Sequence, residues 1–324
     1  MREKKVLITG AAGYVGGQLG ELLAAKMPVV GVDIVARDAG FKIFQMDICD
    51  PALAELMRVE GITHVVHLAS VVTPGRDRRR EYQIDVLGTR NVLEACVKNG
   101  VEHITLTSSG AAYGYHPDNP DWLEERHPLR GNPEFAYSDH KRQVEEMLAD
   151  YRAAHPQLKQ LIFRPCSIIG ATTNSKISEL FSGGSILDPG GYNSPFVFIW
   201  DQDVIGAIEY GVVRDASGIY NLAGDGALTP SEIARVLGKP LRRPPVWLLK
   251  AIIGVRYLLR IADFQPAQVK FLQYRPVLLN NRLKNELGYV PRKTSAEAFA
   301  YFAREALGIT IQTPCDVIQG GQPA

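Results

Sequence analysis

The stretch from Lys5 to Lys26, KVLITGAAGYVGGQLGELLAAK, decides the fold of this chain. It opens with an apolar run over 5–9, turns at glycines 10, 13 and 16, and continues over 17–26 with leucines at positions 19, 22 and 23. A short apolar run of this kind is typical of a buried strand, and the leucine spacing is typical of a helix. A strand, a tight glycine turn and a helix are therefore predicted one after the other.

The same alternation continues over the first half of the chain. Helices are predicted after Asp50-Pro51, over 81–98 and over 134–153, and further strands are predicted at 29–33, 42–46, 64–68, 104–107 and 160–163. Strands that alternate with helices form right-handed crossovers and a parallel sheet covered on both faces. The expected fold class is α/β, with a doubly wound parallel sheet.

The glycine turn has the spacing of a dinucleotide-binding loop. One glycine permits the turn, the next allows the backbone to approach a pyrophosphate, and the third allows close packing of helix and strand. Asp33 ends the second predicted strand, where a carboxylate can accept hydrogen bonds from ribose hydroxyls and repel an additional phosphate. The pattern predicts NAD rather than NADP, and Arg37 is the contrary signal.

Charge and cysteine content exclude several classes of protein. The 324 residues carry 36 Lys and Arg against 35 Asp and Glu, so the basic surplus typical of a nucleic-acid-binding protein is missing. No C-x-x-C pair occurs, which argues against a zinc site or a small disulfide framework and predicts reduced thiols and no metal. The four cysteines stand at positions 49, 96, 166 and 315.

A second group of candidate functional residues includes two in the predicted helix over 134–153. Tyr137 and Lys141 are four residues apart and therefore share one helix face. Ser108 and Ser109 follow a predicted strand, at the edge where doubly wound sheets bind ligands.

Together these segments resemble the extended short-chain dehydrogenase/reductases, the NAD-dependent epimerase/dehydratase family. The resemblance covers about the first 170 residues in the expected order, and NELGYVP at 285–291 matches more weakly. The matching segments are GAAGYVG at 10–16, Asp33, MDI at 46–48, HLAS at 67–70, LTSSGAAYG at 106–114, YSDHK at 137–141 and RPCSIIG at 164–170.

The resemblance implies a Rossmann-type fold, an enzyme, and a role for individual residues. Tyr137 is the implied acid/base, Lys141 its activator and a ribose ligand, and Ser109 the hydroxyl that orients the substrate oxygen. A homodimer through two long helices is also implied. The implied NAD-binding residues are Gly10, Gly13, Tyr14, Val15, Gly16, Asp33, Asp47, Ile48, Leu68, Ala69, Ser70, Tyr137 and Lys141.

Two positions depart from the family pattern. Asp85 stands where many relatives have asparagine, and Ser167 stands where sugar-nucleotide members usually have asparagine. An Arg-Pro pair such as Arg164-Pro165 is more typical of relatives that act on less polar alcohols and ketones.

Two regions are expected along the chain. A dinucleotide-binding region comprises 1–164 with about 201–225, and a smaller, mainly C-terminal substrate-binding region comprises about 165–200 and 226–308. The stretch from Thr172 to Ser194 reads as loops, the sequence TPSE at 229–232 is a strong helix start, and 309–324 is expected to be a loose tail.

The apolar stretch 246–264 contains Lys250, Arg256 and Arg260, so it is a poor membrane span. As a helix it has a wide apolar face. Three interpretations stay open: a helix resting on a membrane surface, the mouth of an apolar substrate pocket, or a core or dimer-interface helix. Arg76–Arg80 is expected to be a solvated loop, and the alternative is a segment that attracts an anionic substrate or a phosphate. Surface or capping roles are expected for the histidines at 116, 127 and 140. The N-terminal apolar run is too short for a signal peptide, so a soluble, cytoplasmic protein is expected.

Three functions remain. The first is an NAD(H)-dependent oxidoreductase that interconverts a secondary alcohol and a ketone on a small-molecule substrate. The second is a nucleotide-sugar epimerase or dehydratase that recycles tightly bound NAD. The third is an NAD-binding sensor without catalysis, against which the intact Ser109, Tyr137 and Lys141 set argues.

Overall fold

Seven parallel strands form the central sheet of the computed structural model, which describes residues 3–72, 75–173, 175–261 and 264–309, apart from the side chain of Lys176. The order across the sheet is β10-β6-β5-β4-β1-β2-β3. The strands are β1 (Val6–Thr9), β2 (Val29–Asp33), β3 (Lys42–Gln45), β4 (His64–His67), β5 (His103–Thr107), β6 (Lys159–Pro165) and β10 (Gly218–Leu222).

Helices cover both faces of this sheet. On one face, α1 (Tyr14–Ala24) and α7 (Asp201–Arg214) share a core cluster with the inner strands. On the other face, α2 (Leu53–Glu60), α4 (Thr89–Lys98) and α5 (Ala136–Ala154) do the same. The expected doubly wound α/β fold is confirmed.

The order in which the chain adds strands to the sheet reverses between β1 and β4. The chain runs from β1 to β2 and β3 on one side, and β4 then pairs with the other side of β1, with Thr9 opposite His67. A doubly wound sheet binds ligands at the carboxyl ends of strands at such a switch point. The residues that follow Thr9 and His67 therefore meet at the edge where a ligand is expected.

The remaining chain builds a second core beside the sheet. Its short strands pair in parallel as β7 (Ser167–Ile169) with β9 (Phe198–Trp200), and β8 (Ile186–Leu187) with β11 (Leu241–Arg242). Buried phenylalanines at positions 181, 196, 198, 299 and 302 fill this core. The helices of this part are α6 (Lys176–Ser182), α8 (Pro230–Val236), α9 (Val246–Leu258), α10 (Lys270–Gln273) and α11 (Ser295–Glu305).

Several sequence-based expectations need correction. The stretch 172–194 is not all loop, because a Ser175–Ser178 capping box starts α6 and β8 follows it. The helix expected over 81–98 consists of α3 (Arg78–Tyr82), a π-helical segment over Gln83–Gly88, and α4. The helix start at Thr229 is confirmed: its hydroxyl accepts a hydrogen bond from the backbone N–H of Glu232.

Within the described residues, no helix is both long and apolar enough to cross a membrane. Cys49, Cys96 and Cys166 are free thiols, as expected. Cys315 and the expected tail from 310 onward lie outside the described residues.

Candidate active site

The glycine turn follows β1 and leaves no room for side chains. A Cβ on Gly16 would lie 2.1 Å from the carbonyl oxygen of Gly10, and one on Gly13 would lie 3.1 Å from the same atom. Gly10 has φ +72°, and its own Cβ would meet the backbone nitrogen of Ala69 at 2.9 Å. The turn, the helix it opens and the segment after β4 are therefore in backbone contact.

The start of α1 has the character of a phosphate site. Gly13 is its N-cap, and no side chain of the described residues caps the helix there. The first N–H groups of a helix carry a partial positive charge and bind anions. The exposed turn at Gly13 therefore suits a pyrophosphate.

Asp33 lies at the end of β2, beside this turn. Its carboxylate accepts hydrogen bonds from the backbone N–H of Ala12 at 2.9 Å and of Val35 at 3.1 Å. Arg37 reaches over the same turn and donates to the carbonyl oxygen of Ala12 at 3.3 Å. Asp33, which favours NAD, and Arg37, which favours NADP, therefore both lie beside the turn where the ribose is expected.

Other cofactor-binding candidates differ in their placement. Asp47 is exposed and accepts from the N–H of Cys49, whereas the side chain of Ile48 is buried against Gly88. Val15 is half-buried, and the Tyr14 hydroxyl donates to the Asp201 carboxylate at the start of α7. Tyr14 thus joins α1 to α7, a contact that the sequence did not reveal.

Lys141 lies on α5 and is buried beside the segment after β4. Its Nζ donates to the carbonyl oxygen of Thr107 at 3.2 Å and lies 5.7 Å from the ring centroid of the half-buried Tyr137. Lys141, Ala69 and Ser70 line one small polar pocket. Leu68 precedes them and donates its N–H to the carbonyl oxygen of Thr9. The structure therefore brings the Tyr137–Lys141 pair to the edge that carries the glycine turn.

The two serines after β5 have different surroundings. The Ser108 hydroxyl donates to Glu145, a carboxylate that also forms a buried ion pair with Arg164 at 2.6 Å. Ser109 begins the 3₁₀ segment Gly110–Tyr113 and only accepts there, from the N–H of Ala111 at 3.1 Å. Its hydroxyl hydrogen is not used in this bond, which favours Ser109 over Ser108 as a donor to a ligand.

Asp85 lies in the π-helical segment Gln83–Gly88 and is almost fully buried. Burial by itself raises its pKa, but a hydrogen bond from His140 and the charge of Lys141 outweigh burial and lower it. Its carboxylate also accepts from the Ser70 hydroxyl at 2.9 Å. The expected surface or capping role of His140 is therefore wrong, since this ring is buried against a carboxylate next to Lys141.

Arg275 is a candidate that the sequence analysis missed. Its side chain is buried, with 7% of the residue exposed, and its guanidinium lies 3.4 Å from the ring centroid of Phe196. One nitrogen donates to the carbonyl oxygen of Ser194, but Nε and Nη2 have no acceptor among the described residues. Burial is the main cause that lowers its pKa, to about 9, so the group stays charged at neutral pH.

A row of aromatic rings connects Arg275 with Tyr137. Arg275 lies over Phe271, whose ring meets Tyr115 edge-on. Tyr115 stacks on Phe135, which in turn packs next to Tyr137 with 6.4 Å between ring centroids. An anionic group bound at Arg275 would therefore share one aromatic-lined region with the candidate catalytic tyrosine.

The residues present fit NAD. The glycine turn has the close backbone approach that a pyrophosphate requires, and Asp33 stands where ribose hydroxyls would bind. No group of three metal-ligating side chains occurs in the part of the chain that the structure describes.

Comparison with known proteins gives consistent findings. The model of the NAD dependent epimerase/dehydratase family matches residues 6–183. N-acetyl-alpha-D-glucosaminyl-diphospho-ditrans,octacis-undecaprenol 4-epimerase of Escherichia coli O157:H7 is 30% identical over 249 residues, covering 74% of this chain and 72% of that protein. An uncharacterized protein of Mycobacterium bovis is 26% identical over 93% of this chain and 84% of its own length.

The fold has relatives among solved structures. UDP-glucose 4-epimerase of Thermus thermophilus, solved in complex with NAD, superposes with a TM-score of 0.72 at 23% identity and covers 94% of this chain and 100% of that one. The family match spans more than half of the chain and includes the glycine turn and the Tyr137–Lys141 pair. This chain is therefore a member of the NAD dependent epimerase/dehydratase family, whose members are enzymes.

Proposed function

We propose that the protein is an NAD-dependent epimerase that acts on a sugar carried by a diphosphate. Two relatives reported above are named as 4-epimerases, and one of these names includes a diphosphate-linked sugar. This proposal takes up the epimerase alternative from the sequence analysis and places it ahead of the alcohol–ketone oxidoreductase.

The main observation behind the proposal is the burial of Arg275. A buried guanidinium with two unused nitrogens is costly, because a charge taken out of water needs hydrogen-bond partners. A diphosphate supplies several acceptor oxygens and negative charge in the geometry that a guanidinium prefers. The buried position of Arg275 is then explained as a preformed site for this part of the substrate.

The proposed catalytic roles are those that the family resemblance implies, and the placement of Tyr137 and Lys141 on one face of α5 supports them. NAD held at the glycine turn and beside Asp33 would supply the hydride chemistry, because its nicotinamide ring can accept a hydride from the sugar carbon and return it to the opposite face. Tyr137 takes the proton of the sugar hydroxyl as the carbonyl forms, and gives it back when the hydroxyl is restored. Lys141 holds positive charge near Tyr137 and binds ribose, and Ser109 donates to the sugar oxygen.

The oxidoreductase reading remains the second candidate, and Ser167 is the observation that favours it. This position, in β7, holds a hydroxyl instead of the amide usual in sugar-nucleotide members. The row of Tyr115, Phe135 and Phe271 also offers apolar surface to a less polar alcohol. An enzyme of this kind consumes one NAD for each molecule of substrate.

Turnover of NAD distinguishes the two candidates. We expect the purified protein to retain bound NAD and to convert a UDP-hexose to its 4-epimer with no net change in nicotinamide absorbance. Steady reduction of added NAD by a secondary alcohol, with no epimer formed from UDP-glucose or UDP-N-acetylglucosamine, would favour the oxidoreductase instead.

Arg275→Met tests the diphosphate site directly. The variant keeps a long side chain among the phenylalanines but loses the charge and the donors. We expect KM for the UDP-sugar to rise by about 10- to 100-fold, the effect of losing about 1.4 to 2.8 kcal/mol of binding, with a small change in kcat. Arg282→Met, which removes a half-buried arginine paired with Glu286, is the control. An unchanged KM in Arg275→Met would contradict the assignment.

A further inference from the structure

Helix α9 (Val246–Leu258) has no buried residue along its whole length. Its inner side is half-buried through residues such as Leu249, Ile253 and Tyr257, whereas Trp247 is 71% exposed and Leu258 is 81% exposed. Of the seventeen exposed large hydrophobic residues among those described, seven lie between 247 and 261. Exposed apolar side chains are thus concentrated in one short segment.

These side chains form one continuous face. With about 100° of rotation per residue, Trp247, Leu248, Ile252, Val255 and Leu258 fall within about 140° of the helix circumference. We call these five residues the apolar face of α9. A contiguous apolar surface on a folded chain marks a binding site for another apolar surface.

Basic residues flank the apolar face. Residues 233–262 contain seven Lys and Arg and neither Asp nor Glu, although the whole chain has a net charge of only +1. Arg256 and Lys250 lie on opposite flanks of the apolar face on the same helical projection, and Arg260 follows the end of the helix.

A second basic segment is held against the helix. The guanidinium of Arg76 lies 4.3 Å from the ring centroid of Tyr257 and donates to that residue's carbonyl oxygen at 2.8 Å. Arg78, Arg79 and Arg80 are exposed on α3, which Asp77 caps through the N–H of Arg80. Residues 78–80 are therefore helical, not the loop expected from the sequence, and Arg76 is the member of this segment that contacts α9.

We propose that the apolar face of α9 and its basic rim dock on the surface of an anionic lipid membrane. An exposed apolar helix face flanked by cations inserts between lipid headgroups, while the cations pair with anionic lipids. A second copy of the chain fits less well, because a two-fold interface pairs the patch with itself and residues 233–262 offer no carboxylate to the cations of the copy. The proposal is independent of the proposed function.

The docking surface lies beside the candidate active site. A small cleft next to it is lined by Gly75, Arg78 and Gln265, and by Glu134 and Phe135, which directly precede α5 and Tyr137.

Vesicle sedimentation tests the proposal. The purified full chain is mixed with vesicles of phosphatidylcholine alone, or of phosphatidylcholine and phosphatidylglycerol in equal amounts. We expect binding to the mixed vesicles that is at least tenfold stronger than to phosphatidylcholine and that falls with added salt. In Trp247→Ser/Leu258→Ser we expect a loss of at least tenfold. Sedimentation with neither kind of vesicle would overturn the proposal.

Matched variants separate the contribution of the apolar face from that of the basic residues. Val59→Ser/Val290→Ser removes two equally apolar side chains, 65% and 64% exposed, from other parts of the surface and should bind as the unmodified chain does. Arg256→Gln/Arg260→Asn should lose the preference for phosphatidylglycerol. If Trp247→Ser/Leu258→Ser binds normally, attachment rests on charge alone and the proposal fails.

Light scattering on a sizing column tests whether a second copy of the chain covers the apolar face of α9. We expect the unmodified chain and Trp247→Ser/Leu258→Ser to have the same mass in solution. A dimer that becomes a monomer in this variant would assign the apolar face of α9 to a second copy and overturn the membrane proposal. Because both positions are exposed, a thermal melt should show that the variant is folded.

Discussion

At the scale of single residues, the positive charge of Lys141 contributes to the pKa values of two buried neighbours. It lies within reach of Asp85, whose pKa it helps to lower, and of His67, whose pKa falls to about 3 through burial and then through that charge. His67 is held between the hydroxyls of Thr9 and Thr89, at 2.7 Å and 3.0 Å. One buried cation therefore favours the charged form of a carboxyl and the neutral form of an imidazole.

The pKa of His67 predicts how stability depends on pH. In the unfolded chain His67 takes up a proton as pH falls below about 6.5, whereas in the folded protein it does so only near pH 3. Between these values the unfolded state binds more protons. The free energy of unfolding therefore decreases as the pH is lowered, by up to about 1.4 kcal/mol per pH unit for this group.

Replacing the imidazole should reduce this slope. We expect His67→Gln to lose less stability than the unmodified protein between about pH 6.5 and pH 4 in urea unfolding. A residual slope should remain, since burial also lowers the pKa of His103, to about 4. Parallel stability curves for the two proteins would contradict the assignment to His67.

At the scale of elements, the strand–turn–helix unit at the start of the chain depends on the lack of a side chain at one position. In Gly16→Ala the added methyl carbon would lie 2.1 Å from the carbonyl oxygen of Gly10, so α1 has to move away from β1. We expect a loss of about 1–3 kcal/mol in the free energy of unfolding, typical of overpacking, and at least tenfold weaker NAD binding.

The control for that variant is Gly184→Ala. Gly184 is exposed, and no atom lies within 4 Å of a Cβ built there. Its unfolding free energy and NAD affinity, measured by urea titration and calorimetry, should stay close to those of the unmodified protein. Equal effects at Gly16 and Gly184 would show that the close contact at Gly16 has no special role.

At the scale of the whole molecule, the ligand edge joins parts of the chain that are distant in sequence, so NAD should stabilise the entire fold. A ligand at about 100 times its Kd adds about 2.7 kcal/mol to the unfolding free energy. We expect a smaller gain with NADP, because its additional phosphate meets the Asp33 carboxylate. Urea unfolding at matched concentrations measures both, and a larger gain with NADP would identify Arg37 as the dominant group.

Local patterns predicted much of this molecule. The glycine turn and the sheet class follow from residue spacing and from the alternation of strands with helices. The place of Lys141 beside the segment after β4 agrees with what the family resemblance implies, and the roles of Tyr137 and Lys141 stay predictions. Arg275 could not be predicted, because its burial depends on phenylalanines at 196 and 271 that only the folded chain brings together. The apolar face of α9 was visible in the sequence, but its exposure was not, since the same sequence also fits a core helix. Homodimerisation and the domain boundaries stay predictions.

The central claim is that Tyr137 exchanges the proton while hydride moves to and from NAD. The most direct measurement compares the rate of sugar epimerisation by Tyr137→Phe and by the unmodified protein, with NAD affinity measured on both. We predict a rate lower by about 10²- to 10⁴-fold, the usual contribution of a general acid–base, and an NAD affinity within about twofold. A Tyr137→Phe variant that turns over as fast as the unmodified protein would contradict the account.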